Sequence, residues 1–498
     1  MSVPDRCRFL NEDRSISGAG AWNAPGTRKL WLYNLHYFDD LNSRECERRR
    51  EWHVPLIRRW IDENPPASGI GWDSYPTSLR IVNWIKWALW GGPLPEEIVR
   101  SLAMQVRHLE GHLEFHLLGN HLFANAKALV FAGFFFEGPE GERWLRKGLD
   151  LLDLEVSEQV LPDGGHFERS PMYHSLVLED LLDLINLGRA YSGEGLDRTQ
   201  KLAVKWSETA VRMSKWLSAM CHPDGEIALF NDSAFGIAPS PRELYAYSER
   251  LGFPITEGSR DGVTHLPESG YIRLQGGEAT LFLDVGPLGP DFLPAHGHAD
   301  TLSFELSLYG RRVIADTGTS TYDNCPDRLY ERGTPAHNTV VVDGMDSSEV
   351  WGSFRVARRA IPFGLRIDEK GGEVSVECSH DGYRRLPGKV VHKRSLRFSG
   401  GTLEVVDTLG GRIRSAQRRF HLHPAVVFSG EERDGRFPAV STGCWEIPGG
   451  GKVKWRSGAE SARYEEARYS PEFGVSLNTA RLVEEFPEAE SRFGMKWS

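Results

Sequence analysis

Cysteine is scarce here. The six residues, Cys7, Cys46, Cys221, Cys325, Cys378 and Cys444, are scattered over 498 positions. None forms a C-x-x-C pair, which argues against a thiolate zinc motif or a dithiol redox motif, and free thiols are expected. Long apolar runs are also missing: nothing approaches the ~20 residues that a membrane helix needs. Met1 to Leu10 lacks the apolar core of an export signal. The chain as written is therefore expected in the cytoplasm, or in the periplasm or outside the cell if an export segment precedes it. Excess positive charge is absent too. A formal net charge of −10 excludes a general nucleic-acid binder. It leaves an anionic substrate open, because fields are screened beyond ~8 Å and local arginines decide. No strict internal repeat is present.

What is present suits a packed protein. Hydrophobic residues make up 40% and charged residues 26%. The length predicts roughly two to four domains. Fifteen tryptophans and fourteen tyrosines supply ring faces that suit sugar rings or core packing.

The apolar period divides the chain. Glu96 to Leu118, Trp144 to Val160 and Arg198 to Ala219 carry apolar residues at helical spacing. From about residue 262 the period becomes two, over Tyr271 to Leu274, Ala279 to Asp284, Thr301 to Leu308 and Thr339 to Val342. Gly388 to Arg397 and Thr402 to Asp407 continue the pattern. The expected class is α+β multidomain: helix pairs over 1–258, then an antiparallel sandwich over 259–498.

Several clusters carry chemistry. In His296-Gly297-His298, two imidazoles one residue apart point the same way if the segment is an extended strand. His298, Asp316 and His337 offer two nitrogens and an oxygen, a set suited to one Zn²⁺. Asp316 follows the strand Arg312 to Ala315, and His337 is expected to open the strand to Val342. Gly119 breaks a helical region just before Asn120 and His121, whose donors suit an anion; Asn120 is equally an ordinary helix cap. Asp163-Gly164-Gly165 forms a turn, and Ser170-Pro171 starts a helix that carries Tyr173 in its first turn. His108, His112 and His116 repeat every four residues and are expected to share a polar helix face. They lack the Glu of the H-E-x-x-H zinc motif. Trp72 to Arg80 and Asn34 to Phe38, dense in aromatic and polar types, could line a sugar groove or pack between helices.

Taken together, these segments resemble the heparinase II/III family of polysaccharide lyases. The matching pieces are Leu32 to Phe38, Gly119-Asn120-His121, Asp163-Gly164-Gly165 with Glu168 to Tyr173, and His296 to Asp300. Asp316-Thr317-Gly318, His337 to Val340 and Ser470 to Gly474 complete them. The resemblance implies an N-terminal incomplete (α/α) toroid followed by a C-terminal antiparallel β-sandwich. It implies β-elimination on a uronic-acid-containing polysaccharide or oligosaccharide. Asn120 would neutralise the uronate carboxylate with help from His121, and Tyr173 and His296 would move the proton. Tyr75, Arg80, His166, Glu168 and Arg332 are expected as substrate contacts. His298, Asp316 and His337 match a single structural zinc. Relatives of this type often accompany exopolysaccharide or capsule synthesis, so such a polymer is the expected substrate. From the residues alone, a zinc-dependent glycan hydrolase and a non-catalytic glycan-binding protein stay open, because three ligands with an open position also describe a catalytic zinc.

Overall fold

The computed structural model describes residues 3–91, 94–191, 197–253, 261–428, 441–459, 461–485 and 489–497. Helices dominate up to Arg250 and strands from Gly262 onward. The expected domain boundary at 258/259 falls in 254–260, outside the described residues. By packing, the chain divides into two compact units. One comprises Met1–Gln159 with Asp180–Glu208, the other Val160–Glu179 with Thr209–Ser498.

In the first unit, the helix Glu96–Gly111 shows why these segments fold as they do. Glu96 and Glu97 favour its N-terminus, and Ile98, Leu102, Val106 and Leu109 form the buried stripe. That helix stops at Gly111, short of the expected Leu118, and His112 caps it. His116 therefore lies beyond the helix, and the expected three-histidine face does not form. Instead the His108 and His112 rings stack at 4.2 Å, and His108 Nε2 meets the Trp72 carbonyl at 3.1 Å. The chain turns at Leu118 and Gly119, both at positive φ, before the helix Gly119–Phe135. That helix lies tightly on Pro139–Gln159. A Cβ on Gly148 would stand 2.8 Å from the Ala126 carbonyl, so only glycine permits the approach.

Among the described residues, the second unit holds three larger antiparallel sheets and one two-stranded hairpin. A five-stranded meander runs in chain order through Gly262–Leu266, Tyr271–Gly276, Ala279–Asp284, Phe304–Leu308 and Arg311–Ile314. A four-stranded sheet has the order Ser461–Tyr469, Leu477–Glu485, Ala416–His421, Val340–Val342. An isolated antiparallel Ile314–Leu422 bridge links these two sheets. An eight-stranded sheet contains Glu373–His380, Val391–Ser399, Thr402–Gly410 and Glu490–Trp497 as neighbours. Its strands alternate buried and half-buried residues, as a sheet with one packed face should. Ile272, Leu281 and Phe304 of the meander and Phe420 of the smaller sheet share one core with Leu396, Val405 and Phe493. The expected antiparallel sandwich is thus present. Two local expectations fail. His296-Gly297-His298 is a loop, not a strand, and the strand after His337 begins only at Val340.

Candidate active site

The site in the second unit begins where a loop enters the helix Pro171–Ala190. Pro171 suits the first helical position, and the Ser170 hydroxyl accepts from the Tyr173 N–H at 3.2 Å. Ser170 in turn donates to the Asp232 carbonyl at 2.6 Å. Two flanking residues, Arg169 and Asn231, hold positive φ (57° and 56°). Asn231 stitches both neighbours together. Its side chain donates to the Arg169 carbonyl at 3.1 Å and accepts from the His298 N–H at 2.9 Å. Strained backbone held by such bonds is common at functional sites.

Both histidines of the His-Gly-His loop reach one carboxylate. His296 Nδ1 lies 2.8 Å from Asp232 Oδ2, and His298 Nε2 lies 2.9 Å from Asp232 Oδ1. Arg328, on the helix Pro326–Arg332, clamps the same carboxylate with both terminal nitrogens, the Nη2 contact being 2.7 Å. Burial opposes ionisation of Asp232, but Arg328 and the two imidazole donors outweigh it and hold the carboxyl well below the usual range. An ionised Asp232 fixes the proton of His296 on Nδ1 and leaves Nε2 as a free lone pair. That Nε2 stands 3.7 Å from Glu168 Oε2. Gly297 packs so closely on Leu288 that a side chain there would collide with it.

The Tyr173 ring lies against the His296 ring, with centroids 4.1 Å apart and planes tilted by 35°, and its hydroxyl meets the Tyr322 hydroxyl at 3.0 Å. Burial, reinforced by Tyr322 and Asp232, pushes the Tyr173 phenol well above its ordinary value. A neutral phenol and an imidazole with a free nitrogen therefore lie side by side, an acid and a base of matched reach. Asp232, Arg328 and Tyr322 were absent from the sequence reading. The polar triplet Asn231-Asp232-Ser233 directly after the apolar Ala228-Leu229-Phe230 was the available signal.

The expected metal ligands lie close together. His298 and His337 have ring centroids 5.3 Å apart, and His337 Nδ1 bonds Asp316 Oδ2 at 2.7 Å. His298 Nδ1 and His337 Nε2 are buried with no hydrogen-bond partner. The donor types suit zinc, and orphaned buried nitrogens are what a bound cation would satisfy. As arranged, though, Asp316 is engaged by His337. Among the described residues no three His, Cys, Asp or Glu side chains are disposed to hold a metal.

In the first unit, Asn120 and His121 open the helix Gly119–Phe135. His121 Nδ1 contacts Glu114 Oε1 at 3.1 Å, and its ring packs on Tyr75 at 4.5 Å. Asn120 bonds the Tyr75 phenol. Tyr75, Asn120 and His121 thus form one partly exposed polar group.

Two expected substrate contacts give way to structural roles. Arg80 is fully buried, 3.9 Å over the Trp60 ring, with Nε on Gln105 at 2.8 Å. Arg332 is fully buried too, and its guanidinium donates to the carbonyls of Ala295, Gly297, Gly352 and Arg355. His166 is buried, and burial holds its imidazole well below the usual range, so it offers no charge to a ligand. Glu168 is buried, with Oε2 3.7 Å from His296 Nε2. All six cysteines are free, as expected.

Comparison with known proteins shows the family and the fold. The family described as "Heparinase II/III N-terminus" matches residues 44–247, and "Heparinase II/III-like, C-terminal" matches residues 259–498. A "Heparin-sulfate lyase" of Pedobacter heparinus is 25% identical over 272 residues, covering 50% of this chain and 40% of that protein. The "FtsZ-localized protein C" of Caulobacter vibrioides is 27% identical over 367 residues, covering 68% of this chain and 59% of that protein. The chain thus spans less than two thirds of these curated relatives. A solved "Heparinase III" structure superposes with a TM-score of 0.74 at 18% identity, over 98% of this chain and 79% of that one. That likeness shows the fold, an (α/α) toroid followed by a β-sandwich.

Proposed function

The chain belongs to the heparinase II/III family, and from that premise we propose that it is a polysaccharide lyase that cleaves a uronic-acid-containing chain by β-elimination. The observation that carries this reading is the close Tyr173–His296 ring pair beside the ionised Asp232. His296 Nε2 takes the C5 proton, the C5–H electrons form the C4=C5 double bond, and the C4–oxygen bond breaks. The Tyr173 phenol protonates the departing oxygen, which suits a group kept neutral by burial. The C5 proton then leaves His296 to solvent, and the phenol regains its own. Glu168 Oε2 lies 3.7 Å from that Nε2.

A uronate carboxylate resists the charge that builds at C5, so donors must meet it. Asn120 with His121 is assigned that task on the family resemblance and on the exposed polar group they form with Tyr75. An exopolysaccharide or capsule is the polymer class we assign, again from that resemblance. We also assign one structural zinc to His298, Asp316 and His337, supported by the two orphaned nitrogens. Bound there, zinc would neutralise buried donors and fix the loop that carries His296; no step of the elimination passes through it.

The test is an absorbance screen over uronate polysaccharides, since elimination leaves an unsaturated uronate that absorbs in the ultraviolet. Tyr173→Phe and His296→Ala should each abolish that signal while zinc content is retained. Full activity in Tyr173→Phe would remove this residue from the mechanism, and reducing ends without absorbance would indicate a hydrolase. His298→Ala should lower both zinc content, by elemental analysis, and melting temperature. An unchanged zinc stoichiometry would sink the metal assignment.

A further inference from the structure

A two-stranded hairpin, Val350–Trp351 paired with Arg355–Val356, stands beside the proton-transfer pair. Its turn residue Phe354 lies 5.8 Å from the His296 ring and 5.3 Å from Tyr322. The hairpin is held from beneath by two buried arginines of one helix. Arg328 donates to the Ser353 carbonyl at 2.9 Å while it clamps Asp232. Arg332 donates to the Gly352 and Arg355 carbonyls and, on its other side, to the carbonyls of the His-Gly-His loop. A turn fixed by so many charge-assisted bonds is rigid relative to His296.

On this pinned turn the side chains are nevertheless open. Trp351 is 57% exposed and Phe354 40% exposed. Exposed aromatics on a fixed element mark a binding surface. Trp351 and Arg355 are direct cross-strand partners, so their side chains rise from the same face. Among the described residues, the exposed Arg355 guanidinium has no hydrogen-bond or ion-pair partner. An indole face beside an uncommitted guanidinium matches a sugar ring that carries a carboxylate or sulfate. The ring's C–H face lies on the indole, and the anion meets the planar fork.

We infer that this hairpin is a substrate subsite, in which Trp351, Phe354 and Arg355 hold an anionic sugar residue next to the one being cleaved. The inference rests on the lyase reading above for its substrate class, but its test separates the two. The probes are a hexasaccharide of alternating glucuronate and N-acetylglucosamine, a neutral glucose hexasaccharide, and the polymer that scores in the absorbance screen. With the full chain, Trp351→Ala and Arg355→Gln should each raise KM for that polymer about ten-fold while kcat moves less than about two-fold. Both should weaken calorimetric binding of the charged hexasaccharide by a similar factor. The neutral one should bind weakly and respond little to Arg355→Gln. Both side chains are exposed, so melting temperatures should hold and misfolding is checked directly. Turnover by the wild type with KM and binding unchanged in both variants would overturn the subsite and leave the lyase standing. Binding that depends on both residues without any turnover would sink the lyase and keep the subsite. If the wild type binds neither hexasaccharide, this occupant is wrong.

Discussion

Replacing Asp232 with asparagine removes the one charge that Arg328, His296 and His298 share. All but His296 of this group are fully buried. Removing one partner of a buried ion pair commonly costs about 3–5 kcal/mol. Asp232→Asn should therefore lower the melting temperature. It should also cut kcat by about a hundred-fold or more, because an amide no longer fixes the proton on His296 Nδ1. A variant with wild-type kcat would mean that His296 needs no orienting partner. At this scale the sequence disclosed the groups proposed to react and hid the residues that hold them. Tyr173 and His296 lie in recognisable local settings, a helix start and a paired-histidine motif. Asp232 is 64 residues from His296 and 96 from Arg328, so no local spacing joins them. Arg80 and Arg332 misled for a related reason: an arginine near aromatic or polar neighbours reads the same whether it faces a ligand or is buried over Trp60.

At the scale of the element, three adjacent strands of the eight-stranded sheet carry a buried polar ladder. His380 Nε2 meets His392 Nδ1 at 3.1 Å, His392 Nε2 meets Asp407 Oδ1 at 2.7 Å, and Arg394 grips Asp407 from 2.8 and 3.0 Å. Burial holds both imidazoles below their usual value. Burial also opposes ionisation of Asp407, yet Arg394 and His392 prevail and hold it well below the carboxylate range. All three groups are depressed in the fold, so their stabilisation is present at neutral pH and is lost on acidification. The histidine share fades below about pH 6.5 and the aspartate share below about pH 4. Thermal unfolding should thus shift to lower temperature between about pH 7 and pH 5, and His392→Gln should flatten that slope. An upward shift would contradict this sign. Strands were legible where side chains alternate, as in Thr402 to Asp407, which lies within the strand Thr402–Gly410. The His-Gly-His segment was not, because what fixes its path is Asn231 and Arg332, each remote in sequence.

For the whole molecule, the chain carries a net charge of −10 and the proposed substrate is a polyanion. At physiological salt that net repulsion is already screened beyond ~8 Å, so attraction is left to exposed cations such as Arg355. Raising salt from about 0.15 M to about 0.5 M should raise KM for the polymer and leave kcat nearly constant, measured by the same absorbance. A falling KM would show that net repulsion governs binding. No helix among the described residues is long and apolar enough to cross a membrane. The order of a helical region followed by a sandwich was readable from the change in apolar period alone; the division into compact units, with Val160–Glu179 joining the strands, was not. A carboxylate has about four lone pairs. On Asp232 each oxygen accepts once from an imidazole and once from Arg328, so every one is taken. Nothing there can change by itself, whereas the outward side chains of the hairpin bear no such load. On the proposed reading, a descendant of this chain can acquire a new polymer by altering Trp351 or Arg355 while its reaction stays the same.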